Sequence, residues 1–141
     1  MRDDDDDNDG VKDPVDNCKF VPNVLQQDGD GDGDGDACDG DDDGDGVLDD
    51  GDNSGESGDQ PCLPGENQDC DDNCPGKANP LQEDSDLDGI GDVCDPDNDN
   101  DGSPDLQDCA PKNNAVFPGA VEICNGIDDN CDNLIDDDID G

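Results

Sequence analysis

The chain has 141 residues, and its 46 acidic residues against five basic ones give a formal net charge of -41. It contains no Trp, Tyr or His and only two Phe, so large apolar side chains are too few for a conventional hydrophobic core. Nucleic acid and anionic bilayer surfaces are excluded as partners, because binding to either relies on Lys and Arg. No apolar run is long enough to cross a membrane. Cations are therefore the ligands that the composition favours.

One acidic pattern, DxDxDGxxDxxD, occurs five times without a mismatch. In chain order the copies are loop 1 (residues 5–16), loop 2 (28–39), loop 3 (41–52), loop 4 (84–95) and loop 5 (97–108). A disordered acidic tail is the ordinary interpretation of such composition, but random acidity does not repeat Asp and Gly at one spacing five times. The pattern therefore predicts an ordered repeat array, with turns at Gly and little helix or strand.

The spacing within each loop suits calcium, which takes about six to eight oxygen ligands. Asp at positions 1, 3 and 5 turns three carboxylates toward one ion, Gly at position 6 permits the sharp turn, position 7 offers its backbone carbonyl, and positions 9 and 12 add carboxylates. The loops resemble EF-hand loops in this respect, although position 12 is Asp rather than Glu and no amphipathic helices flank them. The predicted ligands are Asp5, Asp7, Asp9, Val11, Asp13 and Asp16; Asp28, Asp30, Asp32, Asp34, Asp36 and Asp39; Asp41, Asp43, Asp45, Val47, Asp49 and Asp52; Asp84, Asp86, Asp88, Ile90, Asp92 and Asp95; and Asp97, Asp99, Asp101, Ser103, Asp105 and Asp108.

The net charge opposes a compact fold unless bound cations neutralise it. Carboxylates crowded into a dozen residues repel one another, and roughly 20 divalent ions would bring the net charge close to zero. Neighbouring loops can share ions, because Asp39 is followed at once by Asp41, and Asp95 by Asp97. We therefore expect bound calcium to supply most of the folding free energy.

Nine cysteines in a short acidic chain indicate a disulfide framework and an oxidising compartment. Zinc is the competing interpretation, but the chain has no His and no paired CxxC knuckles. Residues 53–73 lose the loop pattern and are interpreted as a Gly/Ser-rich insertion or a degenerate repeat, in which Cys62 and Cys70 form the preferred local pair. The odd count leaves one thiol unpaired, and the pairing of Cys109, Cys124 and Cys131 stays open.

Several segments resemble thrombospondin type 3 repeats: DNC, NPLQ, DSDLDGIGDVCD and DNDGVKDPVDNC. The resemblance covers about residues 3–52 and 71–108, and we divide the loops into segments 1–52 and 74–108 accordingly. It implies an irregular, calcium- and disulfide-stabilised array, in which the chain winds around an internal row of calcium ions. It also implies disulfides between Cys18 and Cys38 and between Cys74 and Cys94.

The last segment, residues 109–141, resembles a different repeat, the metal-binding motif of MopE-like bacterial surface proteins, in DCAPKNNAVFPGAVEICNGIDDNCDNLIDDD. That family is associated with copper, but copper prefers imidazole, thioether or thiolate, whereas this chain has no His and a single Met. The acids of the segment repeat the 1, 3, 5, 9 spacing and favour calcium again. Asn133 stands where the loops have Gly and is expected to adopt a left-handed conformation. The predicted ligands here are Asp128, Asn130, Asp132 and Asp136.

These observations predict an extracellular or cell-surface calcium-binding repeat protein with a structural or adhesive role. The alternative is a loosely ordered acidic protein that stores calcium or nucleates mineral. An enzyme is not expected, because the carboxylate pairs have no apolar pocket that would separate their pKa values.

Assembly into a fibre is a further expectation from the two ends of the chain. Asp136, Asp138, Asp140 and Gly141 open another loop without its later ligands, which the acidic N-terminus of a second copy could complete with calcium as the bridge. The unpaired cysteine could lock the same joint, and head-to-tail contacts that do not close produce filaments. A chain cut from a longer tandem array explains the same ends equally well.

Overall fold

The computed structural model describes residues 4–137, which contain no helix and no strand. Turns and bends follow one another along the chain, and the described residues contain one isolated parallel bridge, between Pro61 and Asp71. None of the described residues belongs to a helix that is long and apolar enough to cross a membrane. The irregular, disulfide-stabilised repeat array predicted from the sequence is therefore confirmed.

The chain divides into two compact units, Met1–Gln82 and Glu83–Gly141. The first unit holds loops 1 to 3 and the 53–73 segment, and the second holds loops 4 and 5 together with the C-terminal metal-binding motif. The division between the units falls inside the segment 74–108 that the sequence suggested as one stretch.

Apolar side chains contribute little to the interior. Leu25 is 80% exposed and Leu106 is fully exposed, whereas most of the buried apolar residues are cysteines. The described residues contain one small apolar cluster, in which Val47 packs with Cys62 and Cys70. Val47 occupies position 7 of loop 3, so this cluster joins loop 3 to the 53–73 segment.

Disulfides connect parts of the chain that would otherwise be held together by a hydrophobic core. Cys18 bonds to Cys38 and Cys62 bonds to Cys70, as the sequence led us to expect. Cys74 and Cys94 are also disulfide-bonded. In the C-terminal segment Cys109 bonds to Cys131, and Cys124 is exposed and free among the described residues, which resolves a pairing that the sequence left open.

We expect Val47→Ala to destabilise loop 3 by about 1–3 kcal/mol, because the side chain is 1% exposed and its removal leaves a cavity against the Cys62–Cys70 disulfide. Ile90→Ala is the matched control: Ile90 has the same position in loop 4 but is 45% exposed, so its loss should cost much less. Calorimetric unfolding of the calcium-saturated variants measures both effects. Equal losses for the two variants would contradict the assigned packing of Val47.

Candidate metal centres

In loops 1 to 3 the Asp residues at positions 1, 3 and 5 converge. Carboxylate oxygens of Asp5, Asp7 and Asp9 lie within 4.8 Å of one another, and the corresponding groups of loops 2 and 3 do the same. The loop 1 and loop 3 groups are half-buried, whereas the loop 2 group, which includes Asp28, is exposed. The structure thus brings together the acids that the spacing placed on one ion.

The backbone of each loop curls around these carboxylates. The N–H of position 7 donates to the position 5 carboxylate, as from Val11 to Asp9 at 2.7 Å and from Ile90 to Asp88 at 2.9 Å. The position 6 glycine has a positive φ, 93° at Gly46, a conformation that L side chains rarely adopt. Asn133 fills this position in the C-terminal motif with a φ of 73°, as expected.

Position 9 is held by two hydrogen bonds that recur from loop to loop. In loop 5 the N–H of Asp105 donates to the carbonyl of Pro96 at 3.0 Å, and the Asp105 carboxylate accepts from the N–H of Asn98 at 2.9 Å. Loop 1 forms the same pair through Asp13, which accepts from Asp6. The first and ninth positions therefore stay close even though no regular secondary structure connects them.

In loops 2, 4 and 5 the N–H of position 12 donates to the carbonyl of position 8. Asp39 donates to Gly35 at 2.9 Å and Asp95 to Gly91 at 3.0 Å. Asp52, the position 12 residue of loop 3 by spacing, instead donates its N–H to the Asp71 carboxylate at 3.4 Å.

The carboxylate of Asp52 lies within 4.8 Å of those of Asp50 and Asp71, two acids that the sequence analysis did not select. Asp71 is completely buried, and its carboxylate also accepts from the N–H of Gln60 at 3.2 Å. These N–H donors counteract burial and hold the pKa of Asp71 below its ordinary value. The structure therefore groups Asp52 with a second set of acids.

Many of the predicted ligand oxygens are buried without any hydrogen-bond donor among the described residues. A buried carboxylate oxygen with no partner is costly unless a cation lies beside it. At motif positions 1, 3, 5, 9 and 12 these oxygens come from loops 1, 3, 4 and 5, as cations bound in those loops would require, whereas loop 2 contributes none among the described residues. They belong to Asp5, Asp7, Asp16, Asp43, Asp49, Asp86, Asp97, Asp99, Asp101 and Asp108, and to Asp42, Asp50, Asp72 and Asn98 beside the motif positions.

The electrostatics of loop 3 show the same requirement. Burial, together with the charges of Asp45 and Asp72, raises the pKa of Asp43 to about 6. Burial and the charge of Asp42 raise the pKa of Asp49 to about 7. Burial also raises the pKa of Asp95, with contributions from charges in both loop 4 and loop 5, as expected for a carboxylate between two neighbouring sites.

Lysines approach some of the position 9 carboxylates. Lys19 lies 2.6 Å from Asp13, and Lys112 lies 2.5 Å from Asp92. In each case the contacted oxygen is a different one from the oxygen that accepts the position 2 N–H. The ammonium groups therefore reduce the local negative charge of loops 1 and 4 without displacing the backbone hydrogen bonds.

The C-terminal motif uses a residue that sequence analysis missed. Glu122 is 3% exposed, and it accepts from the N–H groups of Asp129 and Asn130 and, through its other oxygen, of Asp136. It thus accepts the position 2 N–H, which the position 9 Asp accepts in loops 1 to 5. Asp136, the predicted ligand at that position, accepts instead from Asn125 at 3.1 Å. Glu122 lies outside the spacing pattern, so no local signal identified it.

The remaining predicted residues lie where the motif places them. The N–H groups of Asp34, Val47 and Ser103 at position 7 donate to the position 5 acids. In the C-terminal motif, Asp128 accepts from Asn133 and Asn130 accepts from Asp132. A repeat signal for Asp72 did exist in the sequence. The segments 18–38 and 74–94 match at an offset of 56 residues, and this offset relates Asp72 to Asp16.

Comparison with known proteins gives two family matches. The model of the thrombospondin type 3 repeat matches residues 3–26, 27–59 and 83–117, which together make up more than half of the chain. A model described as "Putative metal-binding motif", of the copper-binding MopE type, matches residues 108–137.

Two curated mouse proteins are similar over short stretches. Cartilage oligomeric matrix protein of Mus musculus is 60% identical over 40 residues, which is 28% of this chain and 5% of that protein. Thrombospondin-2 of Mus musculus is 62% identical over 37 residues, which is 26% of this chain and 3% of that protein. The similarity therefore covers a small part of each relative's length.

We expect calcium binding to release protons at about pH 6 and fewer at about pH 8. Because their pKa values are raised to about 6 and about 7, folded Asp43 and Asp49 retain protons that an ordinary Asp has already released, and a cation must displace these protons. Between about pH 4 and pH 7 the folded chain therefore binds more protons than the unfolded chain does. For this reason the free energy of unfolding of the metal-free protein decreases as the pH rises through this range. Calorimetric titration in two buffers of different ionisation enthalpy counts the protons. Asp49→Asn should release fewer at the lower pH, and equal counts at both pH values would contradict the assignment.

Proposed function

Because the chain belongs to the thrombospondin type 3 repeat family, we propose that its loops bind calcium and that the calcium-loaded array has a structural or adhesive role. The family, its extracellular relatives and the disulfide framework identify an extracellular metal-binding repeat protein. The proposal adds the identity of the ion and the use to which the array is put.

The observation that carries the proposal is the occurrence, in loops 1, 3, 4 and 5, of buried carboxylate oxygens without hydrogen-bond donors at ligand positions of the motif. Oxygens of this kind are hard ligands, which calcium and magnesium prefer. Calcium accepts more ligands in a more flexible geometry than magnesium does, and an irregular loop provides such geometry. Copper is disfavoured because the chain contains no His, and because eight of its nine cysteines are committed to disulfides.

A structural role accounts for the repetition. The loops present nearly the same arrangement of acids along the chain, and occupied sites would hold successive turns together. A catalytic carboxylate pair would instead need one cleft that drives two pKa values apart. The alternative role, calcium storage or mineral nucleation, is favoured by loop 2 alone, where Asp28, Asp30 and Asp32 are exposed.

Removal of calcium with excess chelator should expand the chain, because the carboxylate repulsion of each loop is then uncompensated. The hydrodynamic radius should increase, and the circular dichroism spectrum should change with it. Calcium should reverse both changes cooperatively and at lower concentration than magnesium does.

An unchanged radius after chelation would contradict calcium-dependent folding. Graded, weak binding without a folding transition would favour the storage or nucleation role instead. Asp88→Ala, which removes the position 5 acid of loop 4, should lower the number of bound ions while loops 1 and 2 keep theirs, since repeat arrays transmit stability mainly between neighbours.

Calcium-dependent joining of copies is the finer part of the proposal. It is supported by the exposed acids of loop 2 and by the exposed thiol of Cys124, which together offer a metal bridge and a covalent lock at the surface. The acids of the chain ends that suggested a head-to-tail joint include Asp138 and Asp140, which lie outside the described residues.

We expect electron microscopy to show linear polymers in millimolar calcium and single particles in chelator. Cys124→Ser separates the two contributions, since a metal bridge should survive this substitution and a disulfide lock should not. Monodisperse single chains at high protein concentration in calcium would contradict assembly and leave the calcium sites of the chain unaffected.

A further inference from the structure

We propose that loop 3 is a split calcium site, in which Asp72 supplies the closing carboxylate in place of Asp52. The site would then consist of residues 41–49 and a ligand that returns to it after an excursion of the chain. This inference rests on the calcium-binding function proposed above, and it changes which residues complete the third site.

The backbone places Asp72 at the twelfth position. Its N–H donates to the carbonyl of Leu48, the position 8 residue of loop 3, at 2.9 Å. In loop 5 the N–H of Asp108 donates to Pro104 in the same way at 3.1 Å. Asp52, the twelfth residue by counting, does not make this hydrogen bond and donates to Asp71.

The side chain of Asp72 has the properties of the other closing ligands. It is 1% exposed, and its Oδ2 atom is buried with no hydrogen-bond partner among the described residues, as are the Oδ2 atoms of Asp16 and Asp108. Burial raises the pKa of Asp72, and the charges of Asp45 and Asp41 in loop 3 raise it further. A buried carboxylate oxygen without a hydrogen-bond partner is costly, and a bound cation would remove that cost.

The hydrogen bonds around Asp72 reproduce those around Asp16 in loop 1. Gln82 donates from Nε2 to Asp72 Oδ1 at 2.8 Å, and Gln26 donates to Asp16 Oδ1 at 2.9 Å. The N–H of Asn79 donates to the position 5 acid of loop 3 at 2.6 Å, and Asn23 does the same in loop 1 at 2.9 Å.

The numbering shows where the extra residues enter. Position 5 is Asp9 in loop 1 and Asp45 in loop 3, an offset of 36 residues, whereas Asp16 and Asp72 are separated by 56 residues. Loop 3 therefore carries twenty additional residues, 52–71, which we call the excursion.

The excursion closes on itself and on the loop. Gly51, the last residue before it, lies so close to the carbonyl of Cys70 that a Cβ at this position would clash. The end of the excursion is held by the Cys62–Cys70 disulfide and by a hydrogen bond of 2.8 Å from Cys62 N–H to the Asp71 carbonyl. The same disulfide packs on Val47 of loop 3. These contacts therefore position Asp72 next to loop 3.

The test is a calcium titration of the full chain, labelled with nitrogen-15, that follows the position 6 glycine amide of each loop. Gly46 N–H donates to Asp41 at 3.0 Å, and Gly102 N–H donates to Asp97 at 3.1 Å, so these amides report loops 3 and 5 separately. The variants are Asp72→Asn and Asp52→Asn, with Asp108→Asn as the matched closing-ligand control for loop 5.

Asn is the informative substitution at this position. Its amide oxygen can still accept from Cys74 N–H and Gln82, which bond to Asp72 Oδ1, so that the negative charge and the unpartnered Oδ2 are what is lost. We expect Asp72→Asn to weaken the calcium affinity of loop 3, as reported by the Gly46 amide, by about tenfold or more, because calcium affinity depends on the number of charged ligands. Asp52→Asn should leave the calcium affinity reported by Gly46 unchanged. Asp108→Asn should lower only the affinity of loop 5, which Gly102 reports.

The split site would be overturned if Asp52→Asn lowered the calcium affinity reported by Gly46 and Asp72→Asn did not. Equal weakening by both variants would overturn it as well. Asp72→Glu, which restores the charge, should recover most of the affinity, and a failure to recover would show that Asp72 acts through folding alone. If no glycine responds to calcium in the unsubstituted chain, the calcium-binding function itself fails, which is a different outcome from any of these.

Discussion

Repulsion between carboxylates held a few ångströms apart is the constraint on which this structure depends. Two like charges about 4 Å apart near a protein surface repel by about 4 kcal/mol. The three acids of a single loop therefore cost about as much as the whole stability of an ordinary domain, roughly 5–15 kcal/mol. In loop 3, burial together with the charges of neighbouring acids raises the pKa of Asp43 to about 6 and that of Asp49 to about 7. In the function proposed above, bound cations offset this repulsion and take the place that a hydrophobic core has in other folds.

The backbone carries the remaining specificity. Hydrogen bonds from position 2 to position 9, and from position 12 to position 8, hold the acids of a loop near one another without a helix or a strand. Disulfides then connect stretches that the loops do not, and one of them packs on Val47 to form the small apolar cluster of the first unit. Exposed Leu25 and Leu106 show how little of the stability comes from burial of apolar surface.

The C-terminal motif shows that the arrangement is not tied to one repeat family. Asp128, Asn130 and Asp132 keep the first three positions of the loop, and Asn133 adopts the left-handed conformation of the glycine. Glu122 takes over the hydrogen bond that a position 9 Asp makes elsewhere, and it does so from the preceding stretch of chain. The same cradle for a cation can thus be assembled from different segments.

The sequence alone determined the properties that depend on residues close together along the chain. Charge excluded nucleic acid, and the spacing of Asp and Gly identified five loops whose first, third and fifth acids do converge in loops 1 to 3. A turn of a dozen residues is fixed by its own backbone and by glycine at position 6. For that reason the irregular fold and the family could be predicted without a structure.

Only the tertiary structure decided what depends on contacts between distant residues. Spacing assigned Asp52 to loop 3 and Asp136 to the C-terminal motif, whereas the structure places Asp72 and Glu122 in the corresponding hydrogen bonds. The sequence could have suggested Asp72 through the 56-residue period, but counting within the loop gave an equally good acid twenty residues earlier. The choice between them is made by the closure of the excursion at Gly51 and Cys70, and a pattern of nearest neighbours contains no information about where a chain returns.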